Sequence, residues 1–533
     1  MIELPMLGDQ VATTTNGGAI QYAFNWTFNR QLDVLFVHPG DSNKIYQGLS
    51  DKFSAIEPPT WALLLAQSCR AKGFGVAILD CDAERLSYEE AVKRIRDANP
   101  RLVCFVVYGS NPNAGTTKMT GAIGVADALK AAYPEYKTCF VGSHASALPK
   151  EVVATPSVDF ILLNEGVYAL RNLLRSDLKT DLQNIKGIGW GGGFLNEPQG
   201  VVPNEKMDVD LPGYAWDLLP YKTKPFDLYR SCNWHADFIE GKRNPYAALY
   251  TSLGCRFKCD FCMINIVNRV DNGDNVSAAN SSGMRFWSPE FMLKEFDKLQ
   301  SYGVNTIRLS DEMFFLDKRY FEPLLQGLVD RGYGKNLHMW AYARVDTVRQ
   351  KYLELFNNAG VKWLALGIEA ADQKIRKEIT KGTYEEVDIR DIVTQIRQSG
   401  VSVISNFIFG LPDDTYDSMN ATLDLALELN TEMANMYPCF ALPGSPLYLK
   451  AKQAGWALPQ SFEAWSFHSY DCQPLPTKHL SAQEVLKFRD KAWQMYFNRP
   501  EYHKVVENKF GPAAVEHIKE MASVKLRRRL LGD

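Results

Sequence analysis

The sequence predicts an α/β protein in which a doubly wound parallel sheet is followed by a partial (β/α)6 barrel and a small, mostly helical carboxyl-terminal region. Three observations predict it. The chain has 533 residues, several times the size of one domain. From 31 to 190 short β-branched or aromatic runs alternate with helix-period stretches. A second alternating block starts near 246, and after 475 only helical patterns remain. The expected division is an extension over 1–30, a first domain over 31–190, a connector over 191–245, the partial barrel over 246–440 and a helical part over 441–533.

In the first block the strands are expected at 32–37, 76–80, 102–107, 138–141 and 159–163, each apolar enough for a sheet covered on both faces. Helices are expected at 58–72, 88–98, 116–132 and 167–174. Ligands of such sheets bind beyond the carboxyl ends of the strands. The segments there are His38-Pro39-Gly40, Tyr108-Gly109-Ser110-Asn111-Pro112-Asn113, Gly142-Ser143-His144 and Asn164-Glu165-Gly166. No GxGxxG follows the first strand, which argues against a dinucleotide site. The connector is rich in Gly, Pro and Trp and shows little periodicity. In the second block strands are expected at 247–252, 306–310, 338–342, 363–368, 403–409 and 432–437, with helices at 289–302, 318–331, 347–358, 385–398 and 415–429. Six repeats fall short of a closed barrel of eight. Ser481 is a candidate N-cap for a helix to about 496, followed by helices at 503–509 and 512–530. The basic run Lys525-Leu526-Arg527-Arg528-Arg529 reads as a solvated or dipole-complementing helix end.

Composition excludes several classes. Hydrophobic residues make up 46% and charged ones 23%, ordinary for a globular protein, so collagen-like and disordered readings fall away. Lys and Arg number 59 against 62 Asp and Glu, leaving a net charge of −3 and no polycationic surface for nucleic acid. No apolar stretch reaches the length that spans a bilayer, and 1–10 lacks signal-peptide character, so no membrane partner and a cytoplasmic location are expected.

Of the ten cysteines, Cys69, Cys81, Cys104, Cys139, Cys232, Cys439 and Cys472 are scattered, most beside apolar runs, where a free thiol behaves as a small hydrophobe. The other three, Cys255, Cys259 and Cys262, form CxxxCxxC immediately after the first strand of the second block. Two metal readings are open for them. Structural zinc wants four ligands, commonly two CxxC pairs, and no second pair lies nearby; an iron-sulfur cubane can be held by three thiolates with one iron left open.

Ser252-Leu253-Gly254-Cys255 through Cys262, leading a partial TIM-like barrel, resembles the signature of the radical S-adenosylmethionine (SAM) superfamily. The resemblance implies that Cys255, Cys259 and Cys262 hold a 4Fe-4S cluster whose open iron chelates SAM, and that reductive cleavage gives a 5′-deoxyadenosyl radical. It also implies SAM contacts at successive strand ends. Asp311 and Glu312 would meet the ammonium, with an N-cap acid pair as the alternative, and Arg344 the carboxylate or ribose. Glu369 would meet the ribose, while Phe409-Gly410-Leu411-Pro412 and Phe261 would meet the adenine.

The Rossmann-like first domain resembles the cobalamin-binding domain that precedes many radical SAM cores, through Glu57-Pro58-Pro59, Gly73 with Asp80, and Gly142-Ser143-His144-Ala145-Ser146-Ala147-Leu148-Pro149. Asn164-Glu165-Gly166, Trp216-Asp217-Leu218-Leu219-Pro220 and Phe488-Arg489-Asp490 fit the same pattern, so the resemblance spans about residues 30 to 530. The implied cobalamin contacts are Pro39, Tyr108, Gly109, Ser110, Asn113, Gly142, Ser143, His144, Glu165 and Gly166. No DxHxxG is present, so a cobalt ligand of that type is absent from the pattern, and the 108–113 loop is the candidate for the corrin's lower face; an ordinary strand-end turn is the alternative. The glutamate motif is Asn164-Glu165-Gly166-Val167 rather than GEGE-like. His38, His144 and His235 read as structural histidines.

What the resemblance implies for activity is methylation of an unactivated carbon or phosphorus of a small biosynthetic substrate. One SAM would methylate cob(I)alamin, a second would yield the radical, and a flavodoxin or ferredoxin would supply electrons. A cyclase or ring-rearranging enzyme that uses SAM only as a radical source is the alternative, and a non-catalytic cobalamin sensor the alternative of another class. Trp234, His235, Trp340, Tyr437 and Pro443-Gly444-Ser445 are candidate pocket residues, core packing being the other reading.

Overall fold

The computed structural model describes residues 32–219, 226–231, 245–273, 275–380 and 387–533, and the backbone of two short strands, Val11–Thr14 and Ile20–Ala23. Cys232, Trp234 and His235 lie outside the described residues.

Strands β1 (Val34–His38), β2 (Val76–Asp80), β3 (Leu102–Val107), β4 (Lys137–Gly142) and β5 (Phe160–Leu162) form a parallel sheet in the order 2-1-3-4-5. Successive side chains of a strand face opposite ways. Val34 and Phe36 therefore enter one core with Trp61 and Leu64 of helix α1 (Thr60–Arg70). Leu35 and Val37 enter the other, with Val92 and Ile95 of α2 (Tyr88–Ala98) and Val125 of α3 (Gly115–Ala132). Ser87 starts α2 through a reciprocal capping box with Glu90. Helix α4 (Val167–Arg175) follows β5. The strand order reverses between β1 and β3, so the crevice for a ligand opens between His38-Pro39 and the 108–113 loop.

The sheet runs on into the segment read as connector. Strands β6 (Ile188–Trp190) and β7 (Phe194–Leu195) add antiparallel to its edge. Gly191, Gly192 and Gly193 make the turn at positive φ, a conformation other residues adopt at a cost.

The second sheet contains β8 (Tyr246–Leu249), β9 (Thr306–Leu309), β10 (His338–Arg344), β11 (Val361–Glu369), β12 (Ser402–Phe409) and β13 (Met433–Pro438). All six are parallel and paired in chain order, the half-barrel expected. Helices α5 (Pro289–Ser301), α6 (Lys318–Asp330), α7 (Leu353–Asn358), α8 (Ile389–Gln398) and α9 (Tyr416–Leu429) cover it. The helix expected over 347–358 is only α7. Thr347 Oγ1 donates to Arg344 O at 2.8 Å and Arg349 Nη1 to Asp346 O at 2.7 Å, so local side-chain bonds hold Val348 and Arg349 extended.

Ser481 caps α10 (Ala482–Phe497) through a capping box with Glu484, and α11 (Pro500–Phe510) and α12 (Pro512–Ser523) complete the helical part. The last helix stops seven residues short of the expected 530. Arg528, read as part of a solvated end, is instead 1% exposed: Nε and Nη2 each lie 2.9 Å from Asp490, and Nη1 donates to Ser469 O. A guanidinium tolerates such burial because its fork matches a carboxylate.

The two α/β units are tied directly. Arg308 Nη1 of β9 meets Glu57 Oε1 at 2.6 Å. Arg269 N donates to Asn164 Oδ1 at 2.9 Å, and Arg269 Nη1 to Ser146 O at 2.6 Å.

Candidate active site

The three-cysteine loop leaves the short strand Ser252–Leu253 at Gly254, whose φ is +87 and where a Cβ would stand 2.5 Å from Gly283 O. Glycine is what that approach allows. Asn265 clamps the loop from below: its Oδ1 accepts Cys255 N at 3.2 Å and its Nδ2 donates to Cys255 O at 3.0 Å. Burial pushes the thiols up, Cys255 to about 12 and Cys262 to about 11, with Cys259 raised as well. The negative charge of neighbouring cysteines adds to the rise for Cys255 and Cys259. Three thiolates in such a place call for compensating positive charge, which coordinated iron supplies. Among the described residues no three His, Cys, Asp or Glu side chains converge to hold a single metal ion. A cubane grips separate irons with separate thiolates, so this donor set fits a cluster.

The strand ends above the sheet carry the residues expected to meet SAM. Asp311 is fully buried and already engaged: it accepts Thr251 N at 2.8 Å, Thr251 Oγ1 at 2.7 Å and Ser252 Oγ at 2.6 Å. It fastens the strand that leads to the cysteines, and burial lifts its carboxyl to about 6. Glu312 differs. Its Oε2 is buried with no hydrogen-bond partner, and it borders a cavity of about 220 Å³ shared with Gly254, Asn265 and Arg285. Burial, reinforced by the Asp311 charge, pushes it up to about 8. A cation brought there would restore the charged form.

Arg344 lies bidentate on Asp346, with contacts of 2.9 and 2.6 Å, and its guanidinium sits 3.8 Å over the ring of Phe257 on the cysteine loop. Glu369 ends β11 in a bulge at φ +67, a strained backbone that re-aims the side chain. Burial raises its carboxyl to about 7, and Arg344 opposes the rise. Asp414 Oδ2 accepts Gly410 N at 3.0 Å and Leu411 N at 2.9 Å, closing the turn after β12. Pro412 O accepts Lys478 N at 2.9 Å. Phe261 packs against the cluster of apolar side chains that contains Leu411, so these two expected adenine contacts border one apolar cluster, while the Phe409 ring faces Phe488 at 5.2 Å.

Register defines the chamber below. Tyr342, Ala365, Ile404 and Met433 are consecutive partners across four strands. All four line a cavity of about 660 Å³. The row above is Arg344, Gly367, Asn406 and Asn435, with Asn435 Nδ2 donating to Asn406 Oδ1 at 2.9 Å. Trp340 and Tyr437 line this cavity, as do Glu57, Ser110 and Asn111 of the first domain and His468 and Arg489 of the carboxyl-terminal part. Gly444 and Ser445 are used elsewhere: Gly444 O accepts Ala278 N, and Ser445 caps the helix Pro446–Gln453.

The remaining strand-end residues of the first domain divide by what they touch. Pro39 is buried beyond β1, and His38 Nδ1 meets Asp80 Oδ1 at 2.9 Å. The Tyr108 ring stacks on Trp61 at 4.3 Å and its hydroxyl donates to Asn164 O at 2.9 Å. Gly109 turns the chain at φ +65. Gly142 precedes Ser143, whose Oγ donates to Pro112 O at 2.5 Å and so fixes the 108–113 loop. Glu165 pairs with Arg285 and accepts Val202 N at 3.1 Å, and Gly166 opens α4 at φ +73. Asn113 reaches out of its domain, with Nδ2 3.7 Å from Cys262 Sγ and Oδ1 accepting Met263 N at 3.0 Å. One loop therefore borders the large chamber through Ser110 and Asn111 and the cysteine loop through Asn113.

His144 is buried with Nδ1 3.1 Å from Thr116 Oγ1 and Nε2 without a partner, and burial lowers its pKa to about 4. The unfolded chain takes up this proton near pH 6.5 and the folded chain only near 4. This group's contribution to stability is therefore expected to fall as pH drops through that window, by about 3 kcal/mol, and to level off below it. Urea midpoints of the wild type and His144→Gln at several pH values check this; the variant should lose the part of the slope that His144 contributes.

A cysteine triplet at the mouth of a half-barrel, facing a 2-1-3-4-5 sheet, points to a two-domain family. The B12 binding domain profile matches residues 46–174, and the radical SAM superfamily profile matches residues 249–426. The chain thus combines a B12 binding domain with a radical SAM domain. Among its relatives, an uncharacterized methyltransferase of Pyrococcus horikoshii is 26% identical over 83% of this chain and 88% of its own length. The anaerobic magnesium-protoporphyrin IX monomethyl ester cyclase of Cereibacter sphaeroides is 22% identical over 78% of this chain and 63% of its own. The structure of the radical SAM methyltransferase TsrM of Kitasatospora setae, with cobalamin and a 4Fe-4S cluster, is similar in fold: TM-score 0.65, 16% identity, 92% of this chain and 99% of that one. No described helix of this radical SAM protein is long and apolar enough to cross a membrane.

Asn265 and the Asn113 contact escaped the sequence reading. Asn265 had a signal, as the one polar residue inside Met263-Ile264-Asn265-Ile266-Val267. Asn113 is among the residues expected to meet cobalamin, and its contact with Cys262, 149 residues away in another unit, has no signal in the sequence.

Proposed function

We propose that the chain is a cobalamin-dependent methyltransferase that moves a methyl group from SAM to an unactivated carbon or phosphorus of a small substrate held in the 660 Å³ chamber. The observation that carries this reading is the single loop bordering both the chamber and the third cysteine, which holds a corrin-side wall and a cluster-side wall at fixed separation. When bound, cluster and SAM supply a carbon radical and the corrin supplies the methyl group, chemistry that no side chain offers.

The chain's own residues bind, orient and exclude water. Cys255, Cys259 and Cys262 hold iron, Asn265 fixes their loop, and the unpartnered Glu312 oxygen accepts the SAM ammonium. Arg344 and Glu369 face the nucleoside from adjacent strands, and the Asp414-closed turn together with Phe261 receives the adenine. Ser110 and Asn111 form part of the corrin-side wall, while Trp340, Tyr342 and Tyr437 keep the chamber dry. Electrons come from a flavodoxin or ferredoxin.

The test is product analysis after anaerobic reconstitution with iron, sulfide and cobalamin. Methyl transfer is expected to release S-adenosylhomocysteine and 5′-deoxyadenosine in equal amounts. Release of 5′-deoxyadenosine alone, with a new ring in the substrate, would favour the cyclase reading, which the likeness to the cyclase of Cereibacter sphaeroides supports. No cleavage of SAM by cluster-loaded protein would leave cobalamin sensing.

A further inference from the structure

We propose that Asn113 is a positioning residue which donates a hydrogen bond to the Cys262 sulfur, makes the cluster easier to reduce, and lets that ease respond to what fills the large chamber. The inference rests on the reading that the three cysteines hold a 4Fe-4S cluster.

Met263 N donates to Asn113 Oδ1 at 3.0 Å, which holds the amide against the cysteine loop with Nδ2 3.7 Å and Oδ1 3.8 Å from Cys262 Sγ; the chemistry of the sulfur then decides the donor. A sulfur bound to iron carries no proton and can only accept. Reduction adds negative charge to the cluster and its ligands, and a donor aimed at one of them favours the reduced state. The side chain is held well enough to do this. Asn113 N donates to Asn111 Oδ1 at 2.9 Å, and Ser143 Oγ fixes the loop at Pro112 O. Ser110 and Asn111, three and two residues upstream, stand in the wall of the chamber, so a molecule pressing on that wall acts on the same short loop that carries the donor.

The experiment compares reconstituted wild type, Asn113→Asp and Asn113→Leu. Aspartate keeps the acceptor for Met263 N and removes the N–H; leucine removes both and adds no charge. Iron and sulfide content is measured first, then the cluster's reduction potential by redox titration followed by electron paramagnetic resonance, with and without hydroxocobalamin. Both variants are expected to need a lower potential, with about a tenfold smaller reduced-to-oxidised ratio at a fixed potential, equivalent to about 59 mV for one electron. Cobalamin is expected to shift the wild-type potential and to leave that of Asn113→Leu where it was. Wild-type potentials in both fully loaded variants would overturn the proposal, and equal cobalamin shifts in wild type and Asn113→Leu would overturn its coupling half. Should the variants fail to take up iron, pulsed resonance on the reduced wild-type cluster decides. A nitrogen coupling that changes on 15N-labelling of asparagine side chains supports the contact, and its absence sinks it. A wild type that takes up no iron would refute the cluster reading itself.

Discussion

Replacing Cys259 by alanine is expected to abolish cluster assembly and SAM cleavage together. Each thiolate would grip its own iron, and among the described residues no three His, Cys, Asp or Glu side chains converge to offer another metal site. Asp311, the nearest acid by sequence order to Glu312, is consumed by Thr251 and Ser252 and cannot stand in. The substituted loop stays in place because Asn265 holds it through Cys255 backbone atoms, and Asp260 N still donates to Ile379 O at 2.8 Å. The first-domain residues expected to meet the corrin are unchanged, so corrin affinity should fall far less than cluster content. Visible absorption gives both readings on one sample, the iron-sulfur band being lost while the corrin bands of added cobalamin are retained.

Arg285→Met is expected to give the largest loss of stability. Glu165 is 1% exposed and has two partners, Arg285 and Val202 N. Removing the guanidinium leaves a buried carboxylate with one backbone donor, a cost of about 3–5 kcal/mol. The pair joins the first domain to the short strand Arg285–Phe286 beside the cysteine loop, so loosening it should also weaken cluster retention. Thermal unfolding followed by circular dichroism should show a midpoint several degrees lower. The double variant Glu165→Gln/Arg285→Met should recover most of the loss, because the unpaired charge is then gone. A single variant as stable as wild type would mean that the pair contributes nothing.

The fold was legible where periodicity speaks. Eleven strand segments were expected, and a strand lies at each, because apolar runs such as Leu102–Val107 have few alternatives when both sheet faces are covered. What stayed hidden depends on partners distant in the chain. Gly191-Gly192-Gly193 carries no apolar pattern, yet it turns the sheet edge back on itself. Arg528 looks like one more basic residue until Asp490 and Ser469 O are brought around it. The same holds within the site. The cysteine spacing could be read directly, since its meaning lies in eight consecutive residues, whereas nothing in the sequence separates Asp311, tied to the distant Thr251 and Ser252, from Glu312, left with an open oxygen.

Everything in this account depends on what the cysteine loop binds. Oxygen-free protein, reconstituted and desalted, should contain iron and acid-labile sulfide matching one 4Fe-4S cluster per chain, with a Mössbauer spectrum in which one iron changes when SAM is added. Protein that holds zinc at this loop and takes up no iron would contradict it.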